Sequence, residues 1–267
     1  MTEVLRTGKE IEDYHLLADT AVLAGQIMLV AGAETCRVED TILRILKTSG
    51  FQRCDAFVVT TGITVTLEDY RYGILSLTRR IRDKEINLGN IDQVNAISRK
   101  FCSGELTLKE TFHQLKHMKP VAYPEWLVNI SIMLSAALFT FTLGGRFFEC
   151  LVAGVNGVYF ILARRLNRIL HLNSFVLNMA ASFFMAFTTM VIKNLGYPFL
   201  NLEPAIAGSI MALLPGVAMT NGIRDTLEGD YMSGSARVIE AFVVAASLAL
   251  GIGTGMAACQ MLFGTLL

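Results

Sequence analysis

The chain has 267 residues, 53% of them hydrophobic and 17% charged, with 23 Lys and Arg balancing 23 Asp and Glu. Soluble domains average about 45–50% apolar and about 25% charged, so the composition leans toward lipid. Zero net charge excludes a nucleic-acid binder that works through bulk positive charge, and the hydrophobicity excludes a disordered chain.

The average conceals two parts. Residues 1–120 carry 32 of the 46 charged side chains, and residues 121–267 carry 14. This split predicts an α-helical integral membrane protein of about five transmembrane helices, preceded by a small α+β cytosolic domain with a β-hairpin. The division is residues 1–122 and 123–267. The five cysteines form no CxxC pair, so neither a disulfide framework nor a zinc site is indicated. Glu3, Glu10, Glu12 and Asp13 stand where a signal peptide would be basic, which keeps the N-terminal part in the cytosol.

In chain order, Ile11–Ala33 has helical spacing, with Leu16, Leu17, Val22, Leu23, Ile27 and Val30 apolar and Asp19 and Gln26 on the polar side. Its uncharged run, Thr20–Ala33, is too short to span a bilayer and reads as a buried or docked helix. Gly32–Thr35 breaks the helix, and a second one carries Val38, Ile42, Ile45 and Leu46 on its apolar face. Ala56–Leu67 is rich in Val, Thr and Ile. After a turn at Glu68–Gly73, Ile74–Arg82 alternates, so the two runs read as an antiparallel hairpin. Helical spacing returns over Asn90–Gly104 and Thr107–Lys116. His113 and His117 share a helical face, but Gln114 stands where a zinc HExxH motif needs Glu, so a solvated face is the better reading.

Spans are expected at about 126–145, 147–163, 172–192, 204–221 and 239–263, each near the roughly 20 apolar residues that cross a bilayer. With the N-terminus inside, the inner loops hold Arg164, Arg165, Arg168, Arg224 and Arg237, and the outer loops only Arg146 and Lys193. That asymmetry fits a cytosolic N-terminus and an external C-terminus. Small residues recur every fourth position at Ala241, Ala245, Ala249, Gly253 and Ala257, and at Pro204, Gly208, Ala212 and Gly216. They predict helix faces open to close approach, for plain packing or for an assembly interface. Asn129, Asn156 and Asn178 lie inside spans, and Glu203 and Glu240 at span borders. Glu240 is a candidate proton or counter-ion site.

Pro215-Gly216 interrupts the fourth span, since proline removes an N–H and clashes with the preceding turn. The break is either a simple kink or a broken helix of the kind that contacts substrate in transporters. A dense polar patch, Asn221–Gly234, follows, either a solvated loop or an ion-paired gate.

The segment LLPGVAMTNGIRDTLEGDYMSGSAR (Leu213–Arg237) resembles the signature of the threonine/serine exporter family. GAETCRVEDTILRI (Gly32–Ile45) and FVVTTGITVTL (Phe57–Leu67) resemble that family's cytosolic domain. The likeness covers roughly residues 12–263. One-chain members resemble two fused halves with about ten spans. This chain is similar to the split form, in which a smaller membrane subunit supplies the remaining spans. The resemblance implies a plasma-membrane exporter of small metabolites driven by the proton gradient. Fused members are associated with threonine and serine, and split pairs with carboxylates such as succinate. It implies no cofactor, no metal and no nucleic acid. It directs attention to Pro215, Gly216, Thr220, Asn221, Arg224 and Asp225. Pro215-Gly216 would open the helix, Arg224 would attract a substrate carboxylate, and Asp225 would pair with Arg224 or a substrate ammonium. Two other readings stand beside it: a membrane-anchored enzyme whose α+β domain is catalytic, and an anchored sensor or scaffold. Residues 1–120 offer no nucleophile–base pair, and one span would suffice for an anchor.

Overall fold

A computed structural model describes residues 2–70, 73–82, 85–170 and 172–264, with side chains from residue 13 onward. Arg71 and Tyr72 of the expected turn, the side chains of Glu3, Glu10 and Glu12, and residues 265–267 of the last apolar stretch lie outside the described residues. The chain divides into two compact units: Met1–Ala122 with Val217–Val238, and Tyr123–Gly216 with Ile239–Leu267.

In the first unit, α1 (Thr2–Val30) is the central element. Ala18, Ala21, Val22, Ala24, Met28 and Leu29 are fully buried in its C-terminal half. It ends at Gly32, whose φ of +86° is left-handed, a conformation that costs glycine nothing. The chain restarts as α2 (Thr35–Lys47), which buries Val38, Ile42, Ile45 and Leu46. The sheet has three antiparallel strands in the order β1 (Arg53–Val59), β2 (Gly62–Asp69) and β3 (Gly73–Arg80). The continuous run expected over Ala56–Leu67 is itself folded back. A tight turn at Thr60-Thr61 pairs Val59 with Gly62, so a hairpin becomes a meander. A β-rich run cannot show where it reverses when the turn holds threonines rather than Gly or Asn. Alternation sends Ile63, Val65 and Leu67 into the core, while Thr64 and Thr66 hydrogen-bond Thr78 and Ser76 on the other face. Helices α3 (Leu88–Cys102) and α4 (Leu108–Lys116) complete the core. Asn87 caps the first, and a Thr107/Glu110 capping box starts the second. The paired histidines stack at 4.1 Å at the exposed end of α4, where His117 is the C-cap.

In the second unit, α5 (Glu125–Thr142), α6 (Phe147–Leu170) and α7 (Ser174–Asn194) are long and apolar enough to cross a membrane. So is α10 (Tyr231–Phe263), whose first two turns belong to the first unit. Between them, α8 (Leu202–Ile210) runs into a 3₁₀ turn, Met211–Leu213, and then breaks. Leu214 is extended at φ −65°, ψ 135°, as the residue before a proline must be, and α9 (Gly216–Leu227) starts anew. The candidate spans number four, or up to five if the broken pair α8–α9 is one span. Apolar side chains such as Phe141, Phe147, Leu151, Phe242 and Met261 are exposed, as lipid-facing positions are.

The small-residue stripe of α8 packs at Pro204 and Gly208, whereas most of the α10 stripe is exposed. Two four-residue series run along α10, offset by two residues and so by about 200° around the helix, and they occupy nearly opposite faces. Of the expected α10 series, Ala241 is buried, whereas Ala245, Ala249, Gly253 and Ala257 are exposed. The buried line runs instead through Ala241, Ser247, Leu248, Gly251, Gly255 and Cys259. A Cβ on Gly251 would stand 2.3 Å from the Met179 carbonyl oxygen, and one on Gly255 2.4 Å from that of Phe183, so these glycines admit the α7 backbone. In α8, Gly208 plays this part: a Cβ there would stand 2.7 Å from the Thr140 nitrogen.

Candidate functional site

Two polar constellations stand out, one in each unit. In the first unit, the segment that follows the helix break docks on the turn between α1 and α2. That turn, Gly32–Thr35, exposes carbonyls and N–H groups that no helix satisfies. Asn221 Nδ2 donates to the Gly32 carbonyl at 2.9 Å. Arg237 Nη2 donates to the Ala33 carbonyl at 2.7 Å. Asp225 Oδ1 accepts from the Thr35 hydroxyl at 2.9 Å and the Thr35 N–H at 3.3 Å. Asp225 Oδ2 lies 3.0 Å from Arg237 Nε, with side chains 0% and 9% exposed. The approach serves an ion pair, but its angle leaves both atoms, and the buried Ser233 hydroxyl, without a hydrogen bond among the described residues. Arg224 pairs with Glu34 across the same turn.

Pairing therefore differs from the sequence expectation: Asp225 is matched with Arg237, not Arg224, and is wholly enclosed. Near neighbours along a helix invite pairing on paper. In fact α9 and α10 cross closely, with Gly234 facing the Gly222 carbonyl, and this brings Arg237 to Asp225. Around this core, burial raises Glu39 above its ordinary value, against the opposing hydrogen bond from the Val58 N–H. Burial also pushes Asp230 up, but the hydrogen bond from the Ser233 N–H, the nearby Thr35 hydroxyl and the charge of Arg237 outweigh it, and the net shift is downward. Desolvation raises the Cys36 thiol, reinforced by Glu228.

In the second unit, Asn156 of α6 is 2% exposed and binds three hydroxyls from α7 and α8. Its Nδ2 donates to Thr189 Oγ1 at 2.9 Å, Ser209 Oγ at 3.1 Å and the Met185 carbonyl at 3.3 Å. Its Oδ1 accepts from Thr188 at 3.0 Å. Asn156 and Thr188 also line an otherwise apolar groove of about 530 Å³ between α6 and α7. Glu149, 3% exposed, accepts from the N–H groups of Arg146 and Asn201 at 2.9 and 3.0 Å. In the sequence Asn156 stands out as an amide within a span and Arg237 only as an inner-loop cation, while Thr188, Thr189, Ser209 and Thr35 carry no such signal. Serine and threonine hide in apolar helices by bonding their own i−4 carbonyls, as Thr189 and Ser209 do to Met185 and Ala205.

The remaining expected residues are placed apart. Pro215 and Gly216 form the break, where Gly216 N donates to the Leu214 carbonyl. Thr220 lies exposed on α9, its hydroxyl donating to the Val217 carbonyl. Glu240 is exposed on α10, and Asn178 is half-buried on α7, its carbonyl accepting from Ser182. Among the described residues, no three His, Cys, Asp or Glu side chains cluster to hold a metal ion.

Long apolar helices that enclose polar groups, with a broken helix among them, are features found in helical membrane transport proteins. Residues 19–258 match the family model described as "Putative threonine/serine exporter", and the chain belongs to the threonine/serine exporter family. It is 24% identical over 257 residues to the "Probable threonine/serine exporter" of Mycobacterium tuberculosis, covering 92% of this chain and 47% of that protein. It is 26% identical over 234 residues to the "Probable succinate transporter subunit YjjP" of Klebsiella aerogenes, covering 86% and 88%. The protein of the same name in Escherichia coli is 24% identical over 258 residues, covering 96% and 98%. The chain thus spans about half the mycobacterial relative and nearly all of the E. coli one. No solved structure matches.

Proposed function

We propose that this chain is one subunit of a plasma-membrane exporter of small metabolites, threonine- and serine-type amino acids or dicarboxylates such as succinate. It works with a second, smaller membrane subunit of the same family or by self-association, and draws on the proton gradient. Its N-terminal unit faces the bacterial cytosol and its C-terminus the outside, in keeping with the arginine asymmetry of the loops.

The observation that carries this reading is the construction of α8. Ser209 joins the Asn156 cluster near its end, and the helix then gives way to a 3₁₀ turn and the Leu214-Pro215 break. Amide and hydroxyl groups thereby sit next to helix-terminal carbonyls among apolar helices, where broken backbone is tolerated inside protein or along a water-filled path, and the second case serves transport. Substrate hydroxyl or carboxylate oxygens exchange with Asn156, Thr188 and Ser209 as they pass. In the first unit Arg224 leaves Glu34 to receive a substrate carboxylate, with Thr220 and Asn221 beside it on α9; in the second, Glu240 and Asn178 are further polar candidates. Asp225 holds α9 against the α1–α2 turn. The name of the E. coli relative supports a multi-subunit form.

The test is efflux of labelled threonine, serine and succinate from cells carrying this chain, with and without a neighbouring short membrane subunit. Expression raises efflux of one of these classes, and Pro215→Ala or Arg224→Ala at equal membrane abundance abolishes the gain. Unchanged efflux of all three, despite correct insertion, defeats the proposal.

A further inference from the structure

Within the first unit, three elements leave a cleft of about 330 Å³ lined by Asp19, Leu23, Gln26, Arg79, Arg80, Phe112 and Lys116. The sequence builds it in steps. Asp19, Leu23 and Gln26 lie at i, i+4 and i+7, so they share one stripe of α1. Leu75, Leu77 and Arg79 alternate along β3. The two leucines pack on the core, so Arg79 extends a core-facing row to the sheet's end, opposite buried Ile63. Phe112 and Lys116 lie one turn apart on α4, with the Lys116 ammonium 5.6 Å from the Phe112 ring centre.

Among these lining residues three carry positive charge and one negative. Asp19 Oδ1 accepts from Arg79 Nη2 at 3.3 Å, which leaves an excess of two positive charges around one cleft. Like charges gathered in this way repel unless an anion joins them, and a low-dielectric wall such as Leu23 and Phe112 strengthens the field. The guanidinium forks offer bidentate donors suited to carboxylate oxygens, the ammonium a point charge, and Gln26 an amide for a remaining oxygen.

We propose that this cleft is a binding site for a small dianion of the dicarboxylate class, one carboxylate on Arg79 and the other on Lys116, with Arg80 at the rim where β3 ends. It lies outside the residues assigned to transport, and its existence does not depend on them. Occupancy displaces Asp19 from Arg79 and bridges α1, β3 and α4, so it gives the first unit a means of sensing the ligand that differs from carrying it.

The full chain in lipid nanodiscs is titrated with succinate by calorimetry at constant low ionic strength, with inorganic phosphate and acetate as separate arms. Saturable succinate binding is expected, weakened at least about tenfold by Arg79→Gln or Lys116→Gln, with acetate failing to compete. Both substituted side chains are exposed, so neither change disturbs the core. Asp19→Asn removes the competing carboxylate and tightens succinate by about fivefold, a gain that a misfolded variant cannot give. Absence of saturable succinate binding overturns the proposal, as do undiminished affinity in the Arg79 and Lys116 variants and preference for phosphate over succinate. Each readout is independent of efflux, so this site and the transport reading fail separately.

Discussion

Asp225→Ala tests whether the buried pair really holds the α9–α10 segment on the α1–α2 turn. The carboxylate takes two hydrogen bonds from Thr35 and lies 3.0 Å from Arg237 Nε, with its own side chain fully buried. Removing it strands a buried guanidinium whose remaining hydrogen bond among the described residues is to the Ala33 carbonyl. Breaking one side of a buried ion pair costs about 3–5 kcal/mol. The orphaned Thr35 donors are part of that loss rather than an addition to it, because the two effects share a site. Arg237→Met leaves Asp225 charged and costs about the same. The double variant Asp225→Ala/Arg237→Met contains no stranded charge and is more stable than either single variant, with a coupling above about 2 kcal/mol. Urea-dependent pulse proteolysis of the purified full chain reads the opening of this unit. If the two single losses simply add in the double variant, or if Asp225→Ala costs under about 1 kcal/mol, the buried pair is not what fixes the segment.

Gly251→Ala and Gly208→Ala drive a methyl into the backbone of a neighbouring helix and lose about 1–3 kcal/mol or more of thermal stability. Gly253→Ala meets nothing within 4 Å and gains about 0.5–1 kcal/mol from helix propensity. Asn156→Leu removes the amide joining α6 to α7 and α8, while Thr189 and Ser209 keep their own-helix carbonyls. Stability in detergent falls by only about 1–2 kcal/mol, and any efflux activity is lost well before folding is. Asp230 titrates below its ordinary 3.8, because Ser233, Thr35 and Arg237 favour its charged form. Its contribution to stability is complete above that value and is lost as the pH falls through its lower folded value. The proteolysis midpoint of the native chain therefore drops below about pH 4, and Asp230→Asn flattens the drop.

Patterns repeated along one element were legible in the sequence. The core face of α2, the alternation of β2 and the long apolar helices follow from local periodicity, and Pro215 broke its helix as a missing N–H requires. The threonine turn between β1 and β2 was not legible, because β-branched residues continue a strand as readily as they reverse it. The glycine faces were not either: Gly251 and Gly255 make the close contact, whereas exposed Gly253 falls in the four-residue series. The two lines are offset by two residues, about half a turn of the helix, and the neighbour that selects between them is absent from the sequence of α10.

By itself, the sequence determined the separation of charge between its parts, the apolar helices and the break in one of them. These are properties of short stretches in contact with solvent or lipid. Tertiary structure alone decided which polar groups meet. Asp225 faces Arg237 and Thr35, Asn156 gathers hydroxyls from two other helices, and Asp19 meets Arg79 across sixty positions. The physical reason is burial. A buried polar atom must find partners wherever the fold brings them, and the polar patch after the break found its partners on the α1–α2 turn, far upstream in the chain.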